Sequence, residues 1–160
     1  MTDERIRLRD VELDDLPLFF EHEQDPLAIE MAAFTPEDPS DHAAIMEHWQ
    51  RLLESETIIK RTILQDGDVV GHIASWTQEG DREITYWIDR NCWGQGVATA
   101  ALRAFVAEID TRPLHARAAT DNIGSIRVLE KCGFVVVGHE RGYANARGEE
   151  IDESVLQLAP

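Results

Sequence analysis

The stretch that decides the fold is Glu83–Thr99, EITYWIDRNCWGQGVAT. Glu83 to Asp89 alternates polar and apolar residues and is rich in β-branched and aromatic side chains, the pattern of a strand. A short loop follows, ending in Gly94-Gln95-Gly96, and then Val97-Ala98-Thr99-Ala100-Ala101-Leu102 reads as the opening of a helix. A strand, a glycine-rich turn and a helix N-terminus in that order make a site for an anion. Free backbone N–H groups converge there, the helix dipole favours negative charge, and glycines let a phosphate approach the main chain. The reading is a phosphate-bearing cofactor held at residues 94–99, its chemistry directed back along the strand.

Outward from this stretch, the upstream chain changes period. Ile6, Leu8 and Val11 lie in a short alternation that predicts a first strand. Asp14 or Asp15 is placed to N-cap a helix running to about Glu23, with Pro17 in its first turn. Residues 25–40 carry Pro26, Pro36 and Pro39 and read as a loop or broken helix around Met31–Phe34. Ser40 or Asp41 can cap the next helix, in which Ile45, Trp49 and Leu52 share a face. Thr57–Gln65 and Val69–Trp76 are β-like runs joined by Asp66-Gly67, a hairpin signal. Gly80-Asp81 then turns the chain into the strand at Glu83.

Downstream, a helix is expected from about Gly96 to Ile109 and a strand from Leu114 to Thr120. Residues 121–125 read as a loop capping a short helix, 125–132, that Gly133 closes. Val135–Arg141 and Ile151–Leu158 read as strands with a loop from Gly142 to Gly148. The order β-α-α-β-β-β-α-β-α-β-β describes a mixed α/β sheet in a single domain, residues 1–160.

Composition sets further bounds. With 43% hydrophobic and 29% charged residues, disorder is not indicated. Fifteen basic against 31 acidic residues give a net charge of −16. Such a surface repels nucleic acid and anionic lipid and is compatible with a cationic substrate such as an amine, or simply with solubility. Cys92 and Cys132 form neither a CxxC pair nor a disulfide framework, so reduced thiols are expected. No zinc motif and no metal-binding His spacing is present. The opening residues are charged and lack an apolar run, which gives no signal peptide, anchor or membrane span and a cytoplasmic protein.

A second stretch gives the glycine loop its meaning. A P-loop is excluded there because no Gly-Lys-Ser/Thr follows, and a dinucleotide-binding Rossmann site is disfavoured because Gly94-x-Gly96 comes after three consecutive strands. Asn122–Phe134 reads NIGSIRVLEKCGF: an Asn on a loop, a Ser three residues on at a helix start, and Lys-Cys-Gly-Phe at its end. Together with Trp93-Gly94-Gln95-Gly96-Val97-Ala98 and Tyr86-Trp87-Ile88, it resembles the GNAT acetyltransferase superfamily, and its RimJ/RimL-like branch in particular. The resemblance runs from about Ile6 to Leu158, with specific motifs across residues 83–134.

The resemblance implies a mostly antiparallel sheet, splayed at its middle strands and flanked by helices. It also implies acetyl-CoA as cosubstrate, with no metal. The pyrophosphate would lie on the main chain of Gly94, Gln95, Gly96, Val97, Ala98 and Thr99. Gly96 and Ala98 fit the last two marked positions of the family's loop, while Trp93 stands where Arg or Gln is usual. The pantetheine arm would pair with main chain near Trp87 and Ile88. Asn122 would contact the arm or orient its loop, and Ser125 would lie next to the thioester sulfur.

The chemistry implied is direct attack of an amine on the thioester carbonyl, with no acyl-enzyme. It needs a base, an oxyanion donor and an acid. Glu83 is the candidate base, and a backbone N–H near Ile88 the oxyanion donor. Relatives place a Tyr in the helix after the Asn loop, whereas this chain has Arg127-Val128-Leu129; Ser125 is the favoured acid, with Tyr143 a weaker candidate and, for Ser125, an ordinary N-cap the plainer alternative. His72 reads as a satisfied interior His. The expected function is N-acetyl transfer to a primary amine, a protein N-terminus or a small molecule. The alternatives are transfer of a longer acyl group and a non-catalytic acyl-CoA sensor. A homodimer on an exposed edge or the late strands is compatible with the pattern.

Overall fold

In the computed structural model, which describes residues 4–160, the chain runs β1 (Ile6–Asp10), α1 (Leu16–His22), α2 (Pro26–Ala32), α3 (His42–Glu54), β2 (Ile59–Gln65), β3 (Asp68–Gln78), β4 (Asp81–Ile88), α4 (Val97–Glu108), β5 (Leu114–Ala119), α5 (Ile123–Lys131), β6 (Val135–Ala144) and β7 (Glu149–Leu158). The seven strands form one sheet in the order β1-β2-β3-β4-β5-β7-β6. Every neighbouring pair is antiparallel except β4–β5.

Two tight turns build the amino-terminal half. Asp66 and Gly67 have φ of 50° and 88°, and Glu79 and Gly80 have 52° and 86°. Paired left-handed residues match the right-handed twist of the strands they join, which is why Asp-Gly reads as a hairpin. The β2–β3 and β3–β4 ladders that result are long and lock β4 in register.

Beyond β4 the sheet opens. β4 and β5 share only three paired positions, Arg82↔Leu114, Glu83↔His115 and Ile84↔Ala116, although β4 continues to Ile88 and β5 to Ala119. The expected splay is therefore at this junction. Asp89 N–H donates to Val70 O at 2.8 Å. Since bonded pairs alternate along an antiparallel ladder, Tyr86 and Ile88 turn their N–H and C=O groups away from β3, toward the side from which β5 has departed.

The two faces of the sheet carry separate cores. Ile73, Ile84 and Ile88 pack with Val97, Leu102 and Phe105 of α4 and Leu129 of α5. Burying each large apolar side chain contributes about 1.5–3 kcal/mol. On the other face Leu16 and Phe19 of α1 meet Ile45 and Trp49 of α3. His72 sits there between Phe19 and Trp49, interior as expected but only half satisfied: Nε2 is 2.9 Å from Glu23 Oε1, while the buried Nδ1 has no partner among the described residues.

Three local expectations are narrowed and one, the reach of β6, is corrected. Residues 26–32 form a helix, because Pro26 occupies its first turn, where no N–H is needed, and Asp25 caps it by accepting from Ala28 N–H at 3.0 Å. Asp15 does stand at the N-cap of α1 but makes no capping bond; its carboxylate turns inward instead. Of Ser40 and Asp41, Asp41 is the cap of α3. β6 extends to Ala144, so the loop read at 142–148 is a turn between Ala144 and Glu149.

Candidate active site

The loop at the end of β4 is held by its own side chains. The Trp93 indole N–H donates to Ile88 O at 3.0 Å. Gln95 accepts from Gln65 Nε2 at 3.1 Å and donates to Asn91 O at 3.4 Å. Gly94 and Gly96 have φ of 77° and 79°, and at each the space a Cβ would occupy is open to 4 Å. Gly96 is the N-cap of α4 and has no side chain to satisfy it. The first helical bond runs from Ala100 N–H to Gly96 O at 3.1 Å, so the N–H groups of Val97, Ala98 and Thr99 lie ahead of the helical ladder. Val97 is 1% exposed with its side chain in the core, so it offers main chain alone. These residues fit a diphosphate: open glycine backbone, unspent amides and the positive end of a twelve-residue helix.

Asn122 and Ser125 approach the gap from beyond β5. Asn122 caps α5, accepting from Ser125 N–H at 3.2 Å, and its Nδ2 donates to Met31 O at 3.2 Å. Both ends of the carboxamide thus orient structure. The helix begins at Ile123, two residues earlier than expected, so Ser125 lies within its first turn and is not the N-cap. Its Oγ is instead 2.8 Å from the hydroxyl of Tyr86. Burial pushes the Tyr86 phenol up to about 12, against the opposing hydrogen bond from Ser125. The sequence reading took Tyr86 as a strand residue and missed this contact.

Glu83 is 5% exposed and pairs with His115, one position before the junction ends at Ile84. Arg117 Nε donates to its Oε1 at 3.2 Å. The same guanidinium donates to Glu140 and, at 3.4 Å, to Glu153 Oε1. Three carboxylates from β4, β6 and β7 therefore surround one cation from β5. The Glu140 hydrogen bond, with burial opposing it and Glu83 adding to it, raises Arg117 further above its ordinary value. Burial pushes the Glu153 carboxyl up, with Arg117 countering. Arg117, Glu140 and Glu153 escaped the sequence reading; the period-2 alternation of β5, β6 and β7 places them on one face, but only once the strand order is known.

The segment after α2 and the β6–β7 turn come together. Asn145 Nδ2 donates to Thr35 O at 2.8 Å, Ala146 N–H to Ala33 O at 3.1 Å, and Arg147 Nε to Glu30 O at 2.8 Å. Arg147 also clasps Asp121 at 2.8 and 3.0 Å, one residue before Asn122. Tyr143, by contrast, lies on β6 opposite Glu150 and is 61% exposed. Among the described residues its hydroxyl bonds none of the other candidates. Cys92 and Cys132 are free thiols, each pushed up by burial. No helix among the described residues is long and apolar enough to cross a membrane.

Known proteins resemble this chain in sequence and fold. The model of the acetyltransferase (GNAT) domain matches residues 5–135. The chain is 31% identical over 124 residues to the L-amino acid N-acetyltransferase AaaT of Escherichia coli (strain K12), covering 71% of this chain and 74% of that protein. It is 27% identical over 165 residues to the uncharacterized N-acetyltransferase p20 of Bacillus licheniformis, covering 97% of this chain and 93% of that protein. Among solved structures, spermidine N-acetyltransferase from Vibrio cholerae in complex with CoA and spermine superposes with a TM-score of 0.84 at 14% identity, over 98% of this chain and 96% of that one. The chain belongs to the GNAT acetyltransferase family and is an acyltransferase.

Proposed function

We propose that this protein is an acetyl-CoA-dependent N-acetyltransferase, its 160 residues forming one domain, which acetylates a primary amine by direct attack in a ternary complex. The observation that carries the reading is the parting of β4 and β5 after three paired positions, beside the open glycine N-terminus of α4. Main-chain amides of Gly94–Thr99 bind the diphosphate. The pantetheine arm adds to the edge of β4, where Tyr86 presents N–H and C=O groups and Ile88 its N–H, the Ile88 carbonyl being held by the Trp93 indole, and Ile88 N–H polarises the thioester carbonyl.

The acceptor side follows from the charges. Three carboxylates against one guanidinium leave a negative site that draws an ammonium and stabilises its approach. Glu83, next to the vertex of the split, takes the proton that the amine must lose before it attacks. The new N–C bond forms, the C–S bond breaks and CoA departs. The E. coli relative named for amino acids and the V. cholerae neighbour holding spermine both act on or bind amines, which supports the acceptor class.

The test is release of free thiol from acetyl-CoA with L-amino acids, spermidine and a peptide N-terminus as acceptors. Thiol release by at least one of these amines, faster than by a longer acyl-CoA, is expected. Acetyl-CoA binding without turnover on any amine would favour the sensor alternative and contradict the enzyme.

A further inference from the structure

Gly71 stands opposite Ile88 in the β3–β4 ladder. The two strands come too close there for any side chain. A Cβ on Gly71 would overlap the Trp87 carbonyl oxygen and stand 3.1 Å from Trp87 C and 3.2 Å from Ile88 Cα. All three atoms belong to the single peptide unit that joins Trp87 to Ile88. Of the ten glycines, only this one would set a side chain against main chain. β3 also bulges at the same place: Ile63 faces Gly71 and Leu64 faces Val69, so Val70 is an extra residue against β2.

The close approach fixes a direction. The Trp87 carbonyl is turned at β3, and across a trans peptide bond C=O and N–H point opposite ways. Ile88 N–H is therefore turned away from β3, into the β4–β5 split. The run is held on either side of that group, by the Trp93 indole on Ile88 O at 3.0 Å and by Val70 O on Asp89 N–H at 2.8 Å. With a side chain at 71 one strand would have to yield. β3 is paired along both edges and carries His72 between Phe19 and Trp49, whereas β4 beyond Ile84 has lost its pairing with β5. The Trp87–Ile88 peptide is the part that moves, and its N–H moves with it.

We infer that Gly71 is a positioning residue for acetyl transfer, its bare main chain being what lets Ile88 N–H aim at the thioester carbonyl. The inference rests on the acetyl-CoA reading above. As the amine nitrogen bonds to the acetyl carbon, an electron pair moves onto the carbonyl oxygen, where Ile88 N–H stabilises it. The pair returns as the C–S bond breaks with its electrons on sulfur, and the amine proton passes to Glu83. Gly71 acts only through the peptide it admits.

The experiment is isotope-edited infrared spectroscopy of bound acetyl-CoA labelled at the thioester carbonyl, with calorimetry and thiol-release kinetics, on the intact protein, Gly71→Ala and Thr62→Val. In the intact protein the carbonyl band should move to lower frequency than in free acetyl-CoA. Gly71→Ala should return the band toward its free position and lower kcat about 100-fold, with acetyl-CoA affinity kept within about threefold. Thr62→Val, whose lost hydrogen bond weakens the fold away from the split, should keep both the band and kcat. A band unmoved in the intact protein, a band and kcat unchanged by Gly71→Ala, or the same losses in Thr62→Val overturn the inference and leave the acetyl-CoA site standing. Failure of Gly71→Ala to fold overturns it as well, since the glycine then serves the fold alone. Failure of the intact protein to bind acetyl-CoA overturns the site itself.

Discussion

Two buried carboxylates, each facing an arginine, show how one kind of contact serves two ends. Asp15 is 2% exposed at the corner of β1, β2 and α1. Arg9 grips it with both nitrogens at 2.7 and 2.8 Å, Thr62 donates at 2.6 Å and Glu12 N–H at 2.9 Å. Burial pushes this carboxyl up, but the bonds from Arg9, Thr62 and Glu12 outweigh it and hold the group below its ordinary range. Glu83 is as deeply placed at the β4–β5 junction, but it holds one nitrogen of an arginine that two further carboxylates share. Asp15 has its acceptor capacity filled and joins elements together. Glu83 belongs to a cluster with more negative charge than its cation balances, which suits a proton acceptor and a cationic substrate.

The contrast can be broken from either side. Asp15→Asn should cost about 3 kcal/mol of stability, since it strands the Arg9 and Thr62 donors; a denaturant melt measures it, and acetyl-CoA affinity should not move. Glu83→Gln should lower kcat by about 100-fold, about 2.7 kcal/mol in barrier, with little change in melting temperature. If Glu83→Gln instead behaves like Asp15→Asn, losing stability and keeping turnover, the proposed division between the two carboxylates is wrong. Thr62→Val, which removes one of the donors to Asp15, should cost about 1 kcal/mol by the same melt.

The pH dependence of stability should separate the regions by sign. A carboxyl held low, as Asp15 is, contributes stability that is present above its ordinary value near 3.8 and lost as pH falls through the lowered one. A carboxyl held high, as Glu153 is, contributes stability below its ordinary value near 4.5 and loses it as pH rises through the raised one. Thermal melts at pH 3, 4 and 7 should therefore show Asp15→Asn blunting the loss below pH 3.8. Glu153→Gln should raise the melting temperature at pH 7 by about 2 °C, and less at pH 4.

What could be read from the sequence was what local chemistry encodes. Asp66-Gly67 demands positive φ at consecutive residues, and the alternation at Glu83–Ile88 has one face to bury, so both hairpin and strand follow from neighbours in sequence. Residues 26–32 did not yield, because proline at a helix start and proline in a loop look alike until the N-cap is known. The glycine start of α4 and the Asn122 start of α5 were legible because each is set by local spacing. Tyr86 with Ser125, and Arg117 with its three carboxylates, were not. Those partners come from strands and helices that meet only through the order β4-β5-β7-β6, which no local pattern states. The loop read around Tyr143 erred for the opposite reason: Gly142 and Gly148 suggested a loop where β6 in fact continues to Ala144.

The central claim is that acetyl-CoA lies in the β4–β5 split with its phosphates on the N-terminus of α4. A calorimetric titration of the intact protein and of Gly96→Val with acetyl-CoA tests it most directly. The account predicts saturable binding of the intact protein in the micromolar range, about −8 kcal/mol. It predicts binding weakened at least about tenfold by Gly96→Val, where a branched residue is forced into left-handed backbone and crowds the diphosphate. Equal affinity in the two proteins, or no binding to the intact one, would contradict it.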